Sequence, residues 1–155
     1  MGEYTVEQKQ ILDYIAQMFS DMPFNRMLGF EVKEYNTEKV KVTFDWKDEL
    51  IGNPAQKILH GGVTSSVLDV VGGMMAVAGL LLRSDAKDIP SFAKQLSTLG
   101  TIDLRTDFLR PGRGEHFVAT ATIIRTGNKV CVCRMELHNE QNVQIACGTG
   151  TYLVG

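Results

Sequence analysis

Two features of the chain have the residue types and spacing for chemistry: His60-Gly61-Gly62, and Asp69 a short way beyond. Asp69 is the sole charged residue between His60 and Arg83. The run otherwise reads Gly-Gly-Val-Thr-Ser-Ser-Val-Leu-Asp-Val-Val-Gly-Gly-Met-Met-Ala-Val-Ala-Gly-Leu-Leu-Leu. A carboxylate in such surroundings must be neutralised, hydrogen-bonded or put to use, because an unpaired charge out of water is costly. Glycines at a helix start present bare backbone N–H groups, which with the helix dipole favour negative charge. An N–H cradle for a carbonyl oxygen and a carboxylate to activate water or attack directly make a hydrolytic pair. Asp69 lies roughly 12 Å beyond Gly61 along a helix axis. That is too far for both to act on one carbonyl within one chain. Two antiparallel helices from two chains would bring Asp69 of one beside Gly61 of the other.

Other readings of the same residues compete. Asp69 also fits a structural carboxylate bonded to Ser65, Ser66 or a partner backbone. His60 fits a helix-start residue that orients the loop better than a general acid or base. Thr64, Ser65 and Ser66 carry hydroxyls, but no second His or acid pairs with them in the sequence; Thr64 or Ser65 is expected to fill space or to bond Asp69. Met74 and Met75 read as core. His116 and His138 alternate with apolar residues and are expected to be exposed, and three scattered histidines do not predict a metal site. Cys131 and Cys133 share one face of a strand and Cys147 lies in a later one; without a C-x-x-C or a matching second pair, zinc is not expected. The three thiols read as small buried apolar groups suited to a reducing cytoplasm.

Bulk properties narrow the class. The chain has 155 residues, 44% hydrophobic and 22% charged, with a net charge of −2. That suits one domain spanning 1–155. With no run of like charges, nothing favours nucleic acid. The N-terminus has no basic segment leading into an apolar one, so no signal peptide is expected, and Met1-Gly2-Glu3-Tyr4-Thr5-Val6 lacks the sixth-position Ser or Thr of a myristoylation signal. Gly61 to Leu82 is long enough to span a bilayer. Its Asp, its hydroxyls and its glycines favour instead a helix buried in a water-soluble fold, without membrane insertion.

The elements that must position these residues follow from periodicity. Residues 5–22 have one apolar helical face (Ile11, Leu12, Ile15, Met18, Phe19, Met22) ending near Pro23, an N-terminal helical extension over 1–25. Strands are expected at 29–35 and 40–46, then a loop over 47–59 and a central helix over 61–82. Its glycines Gly72, Gly73 and Gly79 predict close approach of another backbone, from a sheet or a second copy of the helix. A polar connection over 84–97 precedes strands at 99–109, 115–125, 129–138 and 143–154; in the first, Ile102, Leu104 and Phe108 alternate with Asp103, Arg105 and Asp107. Gly127-Asn128 suits a two-residue hairpin turn. The expected fold is α+β, a six-stranded antiparallel sheet wrapped around one long apolar helix, with an extra N-terminal helix. Its open edges predict a homodimer.

At this point the residues resemble a known family. The strand and helix order with a His-Gly-Gly helix start is similar to the hotdog fold. Ile58-Leu59-His60-Gly61-Gly62, with Asp69 nine residues after His60, resembles the acyl-CoA thioesterases of the PaaI-like group. Leu50 to Gly62 together with Ser66-Val67-Leu68-Asp69-Val70 resembles its YigI-like branch, associated with medium- and long-chain acyl-CoA. The resemblance implies that Asp69 orients or activates water or attacks the thioester, and that the Gly61 N–H receives the thioester oxygen. It implies a supporting Asn from the partner subunit, for which Asn53 is the candidate, seven residues before His60 where many members have six. It also implies an assisting Thr101, and His60 completes the candidate catalytic set. Gly62, Thr64, Ser65, Arg110, Arg113, Arg125 and Lys129 are the candidate substrate-binding residues; the basic four could meet coenzyme A phosphates or be solvated turn charges. No metal or cofactor is expected, coenzyme A being part of the substrate. The expected assembly is a homodimer or a dimer of dimers in the cytoplasm. The alternatives are a hotdog hydratase or dehydratase acting on 3-hydroxyacyl thioesters, or a non-catalytic acyl-thioester-binding protein.

Overall fold

The computed structural model describes residues 5–155; the Met1-Gly2-Glu3-Tyr4 segment, where a lipidation signal would sit, lies outside the described residues. Helix α1 (Val6–Asp21) starts at a capping box. Thr5 Oγ1 accepts the Gln8 N–H at 3.1 Å and Gln8 Oε1 accepts the Thr5 N–H at 3.2 Å. Its apolar face buries Ile11, Leu12, Ile15 and Phe19. Pro23 ends α1 but also opens α2 (Pro23–Leu28), because a proline at the first helical position gives up only an N–H that a helix start leaves unpaired.

Strands β1 (Glu31–Tyr35) and β2 (Val40–Asp45) form the first hairpin. The expected loop over 47–59 has structure of its own: a 3-10 turn, Asp48–Leu50, and a small hairpin of β3 (Ile51–Asn53) and β4 (Ile58–Leu59). These strands are too short to show a period in sequence. The central helix α3 (Gly61–Arg83) follows. The connection expected over 84–97 contains a helix too, α4 (Ile89–Leu96). Asp88 caps it by accepting the Ser91 N–H at 2.8 Å, which holds the Asp88 carboxyl below its usual range, and Phe92 buries its apolar face. Polar residues around a short apolar stripe mask such a helix in sequence.

The last four strands are β5 (Gly100–Phe108), β6 (His116–Thr126), β7 (Val130–Asn139) and β8 (Gln144–Leu153). All six long strands join one antiparallel sheet in the order β1-β2-β6-β7-β8-β5. After α3 and α4 the chain therefore runs to the far edge, lays down β5 beside β8, and returns to the middle as β6. The β6–β7 turn is displaced by one residue from expectation: the Gly127 N–H donates to the Val130 carbonyl at 2.8 Å, so Asn128 and Lys129 are its central residues, and neither Gly127 nor Asn128 has the positive φ of a type I′ turn.

The sheet wraps α3, the expected hotdog arrangement. Val67, Leu68, Val71, Met74, Met75, Val77 and Leu81 of α3 meet Phe44, Phe117, Cys131, Cys133, Met135, Leu137 and Ile145 of the sheet in one core. The Phe44 and Phe117 rings stack at 5.0 Å. α3 is long and apolar enough to cross a membrane, but two thirds of its most apolar stretch is covered by the rest of the chain. Its interior glycines accommodate side chains rather than a backbone. A Cβ on Gly72 would stand 2.1 Å from Tyr152 Oη, and one on Gly79 would meet Ile123, Thr126 and Cys131 side chains at 3.1–3.3 Å. The expected backbone approach is thus corrected: side chains of the sheet take the space, the Tyr152 ring of β8 at Gly72 and smaller groups at Gly79.

On β5, Leu104 packs against the core, but Ile102 and Phe108 are each 58% exposed, so its apolar side is only partly covered within one chain. β5 is an edge strand, and one flank of α3 next to it is open as well: Gly62 is exposed, and Ser66, Asp69 and Val70 are half-buried.

Candidate active site

The start of α3 is held by three contacts. The His60 N–H donates to the Leu50 carbonyl at 2.8 Å, and the Leu59 N–H to the Gly112 carbonyl at 3.0 Å. His60 then caps the helix, its Nδ1 accepting the Gly62 N–H at 2.8 Å. That bond uses Nδ1 as an acceptor and leaves Nε2 facing away from the helix backbone. Gly62 has to be small here, because a Cβ would stand 2.9 Å from His60 Nδ1. Val63 and Thr64 donate to the His60 carbonyl at 2.9 and 3.3 Å. The Gly61 N–H alone in this turn has no acceptor among the described residues. It is a free donor at the positive end of a long helix.

His60 as cap gives a prediction. His60→Asn, which keeps a capping side chain, should retain most of the stability and turnover, whereas His60→Ala should lose about 1 kcal/mol of stability. Thermal melts and steady-state rates check this; an Asn variant as stable as wild type yet inactive would return His60 to acid–base chemistry.

Beside the Gly61 N–H opens a cleft of about 400 Å³ lined by Ile58, Leu59, Thr64, Phe108, Arg110 and Ile145, among others. The Phe108 ring lies against Gly61, 3.4 Å from where a Cβ would be. Thr64, 2% exposed, forms part of its wall. Ser65 is half-buried, and Ser66 Oγ donates to the Gly62 carbonyl at 2.6 Å. Neither Thr64 nor Ser65 bonds the Asp69 carboxylate, which takes its hydrogen bond from another element.

Asp69 is half-buried in one chain rather than enclosed, because its flank of α3 is the open one. Its partner is Thr101 on β5, whose Oγ1 donates to Asp69 Oδ1 at 2.9 Å. Tyr152 on β8, which no sequence pattern singles out, donates its hydroxyl to the Asp69 carbonyl at 3.1 Å. Burial, and then the Asp69 charge beside it, push the Tyr152 hydroxyl above its usual range, so it stays a donor. Only strand pairing could reveal this contact: Thr101 and Tyr152 are cross-strand neighbours in the β5–β8 ladder.

Asn53 sits half-buried at the end of β3, its Oδ1 accepting the Ala55 N–H at 3.1 Å and leaving its amide N–H groups without an acceptor among the described residues. β3 is pressed against the helix start: a Cβ on Gly52 would stand 2.5 Å from His60 Cα.

The four basic residues separate. Arg110 rims the cleft and donates to the Gln144 carbonyl at 3.0 Å, and Arg113 nearby binds the Gln56 carbonyl and its Oε1. Arg125 and Lys129 line a different depression with Gly127 and Asn128. Asn128 in turn accepts from Arg83 at the other end of α3, roughly 35 Å away. The four do not form one phosphate site within a chain.

His116 Nδ1 meets Asp45 Oδ1 at 2.6 Å and His138 is half-buried, with Nε2 3.8 Å from Glu136 Oε2. Cys131 and Cys133 are fully buried with sulfurs 3.8 Å apart, and the neighbouring thiol and burial push Cys133 up. Cys147 is half-buried. No cluster of metal-ligating side chains occurs among the described residues.

A helix N-terminus with a free N–H, an apolar cleft and a displaced carboxylate, in a sheet wrapped round the helix, suit chemistry at the carbonyl of an acyl group. Residues 56–146 match the family model of the thioesterase superfamily, and the chain belongs to that family. It is 48% identical over 148 residues to the medium/long-chain acyl-CoA thioesterase YigI of Escherichia coli, covering 95% of this chain and 96% of that one. It is 47% identical, over the same shares, to the protein of that name from Salmonella typhimurium. Among solved structures, a Shewanella oneidensis protein related to the thioesterase superfamily matches with a TM-score of 0.93 and 52% identity, over 98% of this chain and 100% of that one.

Proposed function

We propose that the protein hydrolyses medium- and long-chain acyl-CoA to free fatty acid and coenzyme A. The observation that carries this is the unpaired Gly61 N–H at the mouth of an apolar cleft, in a chain nearly half identical to relatives named for that activity. The thioester oxygen docks on the Gly61 N–H, and the Asp69 carboxylate, oriented by Thr101, activates water or attacks the carbonyl carbon. The carboxylate comes from the second subunit. In one chain Asp69 lies outside the residues lining the cleft, and the open flank of α3 with the exposed Ile102 and Phe108 of β5 is the face a second copy would cover. A covered face would also desolvate Asp69, which favours its use as base or nucleophile. Asn53 donates from the end of β3 across the same interface, and Arg110 and Arg113 are placed to meet coenzyme A phosphates. No cofactor or metal is required, and the protein works in the cytoplasm, where its three free thiols stay reduced.

Thiol release from acyl-CoAs running from acetyl to palmitoyl, with phenylacetyl included, tests the reading. Turnover should peak between C8 and C16. Product formation without free thiol would point to hydration or dehydration, and binding without turnover to a non-catalytic acyl-thioester-binding protein.

A further inference from the structure

We propose that Tyr152 is a positioning residue for the hydrolysis, its hydroxyl fixing the turn of α3 that carries Asp69. The proposal rests on the reading of Asp69 as the reacting carboxylate.

The central helix has a weak point beside its carboxylate. Gly72-Gly73 lies about one turn beyond Asp69, and glycines are the poorest ordinary residues for holding a helix interior. A carboxylate just ahead of that pair needs an external hold if it is to keep one position. Tyr152 supplies it. Its ring lies against both glycines: a Cβ at Gly72 would be 2.1 Å from its Oη, and one at Gly73 would be 3.8 Å from its Cε1. On β8, Gly150 clears the same ring, since a Cβ there would be 2.5 Å from Oη. Gly72 on α3 and Gly150 on β8 thus make room for one phenol.

The hydroxyl is spent on Asp69. It donates to the Asp69 carbonyl at 3.1 Å, although a carbonyl in a helix interior already has the N–H four residues on. The bond therefore adds a tether from the sheet to a satisfied backbone group. Thr101, opposite Tyr152 in the β5–β8 ladder, donates to Oδ1 of the same residue. One cross-strand pair thus grips Asp69 twice, Tyr152 by its main chain and Thr101 by its carboxylate. Displacement by a fraction of an ångström matters to a group that must meet a thioester held by another subunit.

Tyr152→Phe keeps the ring between its glycines and removes only the hydroxyl, so the chain should fold. In the full-length protein with a medium-chain acyl-CoA, kcat should fall about tenfold with KM unchanged. The same substitution in an Asp69→Asn background should leave the residual rate where it was, because there is no carboxylate left to position. An unchanged kcat for Tyr152→Phe, with Asp69→Asn inactive, overturns the proposal and leaves the role of Asp69 standing. An equal proportional loss in both backgrounds also overturns it, since the effect then does not pass through Asp69. Wild-type turnover in Asp69→Asn alone would remove the reading beneath it.

Discussion

Asp69→Asn should lower kcat for acyl-CoA hydrolysis by about three orders of magnitude or more, with the fold intact. The substitution keeps the shape of the side chain and an oxygen that can still accept from Thr101 Oγ1, now 2.9 Å away. What disappears is the negative charge, and with it both routes to hydrolysis, general-base activation of water and direct attack on the thioester. A group that acts in the rate-limiting step typically costs at least 10²–10⁴ when removed, and more when it is the nucleophile. The structural alternative predicts the reverse pattern. A carboxylate held only for packing would show a changed melting temperature and little change in rate. Single-turnover kinetics with a thermal melt separate the two, and turnover within a few-fold of wild type would remove Asp69 from the mechanism.

The second large effect concerns the oxyanion. Gly61→Pro should lower kcat by about 10²–10³, the usual cost of one oxyanion donor. The site is suited to this test. Gly61 is the first residue of α3, where proline is tolerated, and His60 before it has φ −61° and ψ 136°, the extended geometry that a following proline requires. The N–H it deletes has no acceptor within the described residues, so the fold should lose nothing. Gly61→Ala is the control: it retains the N–H and places its Cβ 3.4 Å from the Phe108 ring. A proline variant as fast as the alanine variant would show that the N–H is not used.

The two variants together test the shared site. If Gly61 and Asp69 of different subunits meet, co-refolding inactive Asp69→Asn with inactive Gly61→Pro produces mixed dimers with one complete site. Equal mixing should restore about a quarter of wild-type activity, half of the dimers being mixed and each having one of two sites intact. No recovery from demonstrably mixed dimers would place both groups in one chain.

Much of this architecture is legible in the amino-acid sequence. Periodicity locates α1, the central helix and all six long strands, because each has an amphipathic or apolar signature long enough to read. The isolation of Asp69 in an apolar run and the glycines after His60 point to the groups proposed to react, and the helix rise sets their separation. Short elements escape: α2, α4 and the β3–β4 hairpin are set by a proline, an aspartate cap and contacts with the helix start rather than by a period.

The chain's own pattern is therefore informative about local matters: which segments are helix or strand, and which residues have unusual chemistry for their surroundings. Tertiary packing decides which of those residues meet. That β5 lies beside β8 rather than β6 is a matter of chain return, invisible to local propensity, and it alone brings Thr101 and Tyr152 together on Asp69. The separation of Arg125 and Lys129 from Arg110 and Arg113 has the same origin, since antiparallel strands put consecutive turns at opposite ends of the sheet. Side-chain spacing within an element follows from backbone geometry, but contact between elements depends on packing energy summed over the whole core.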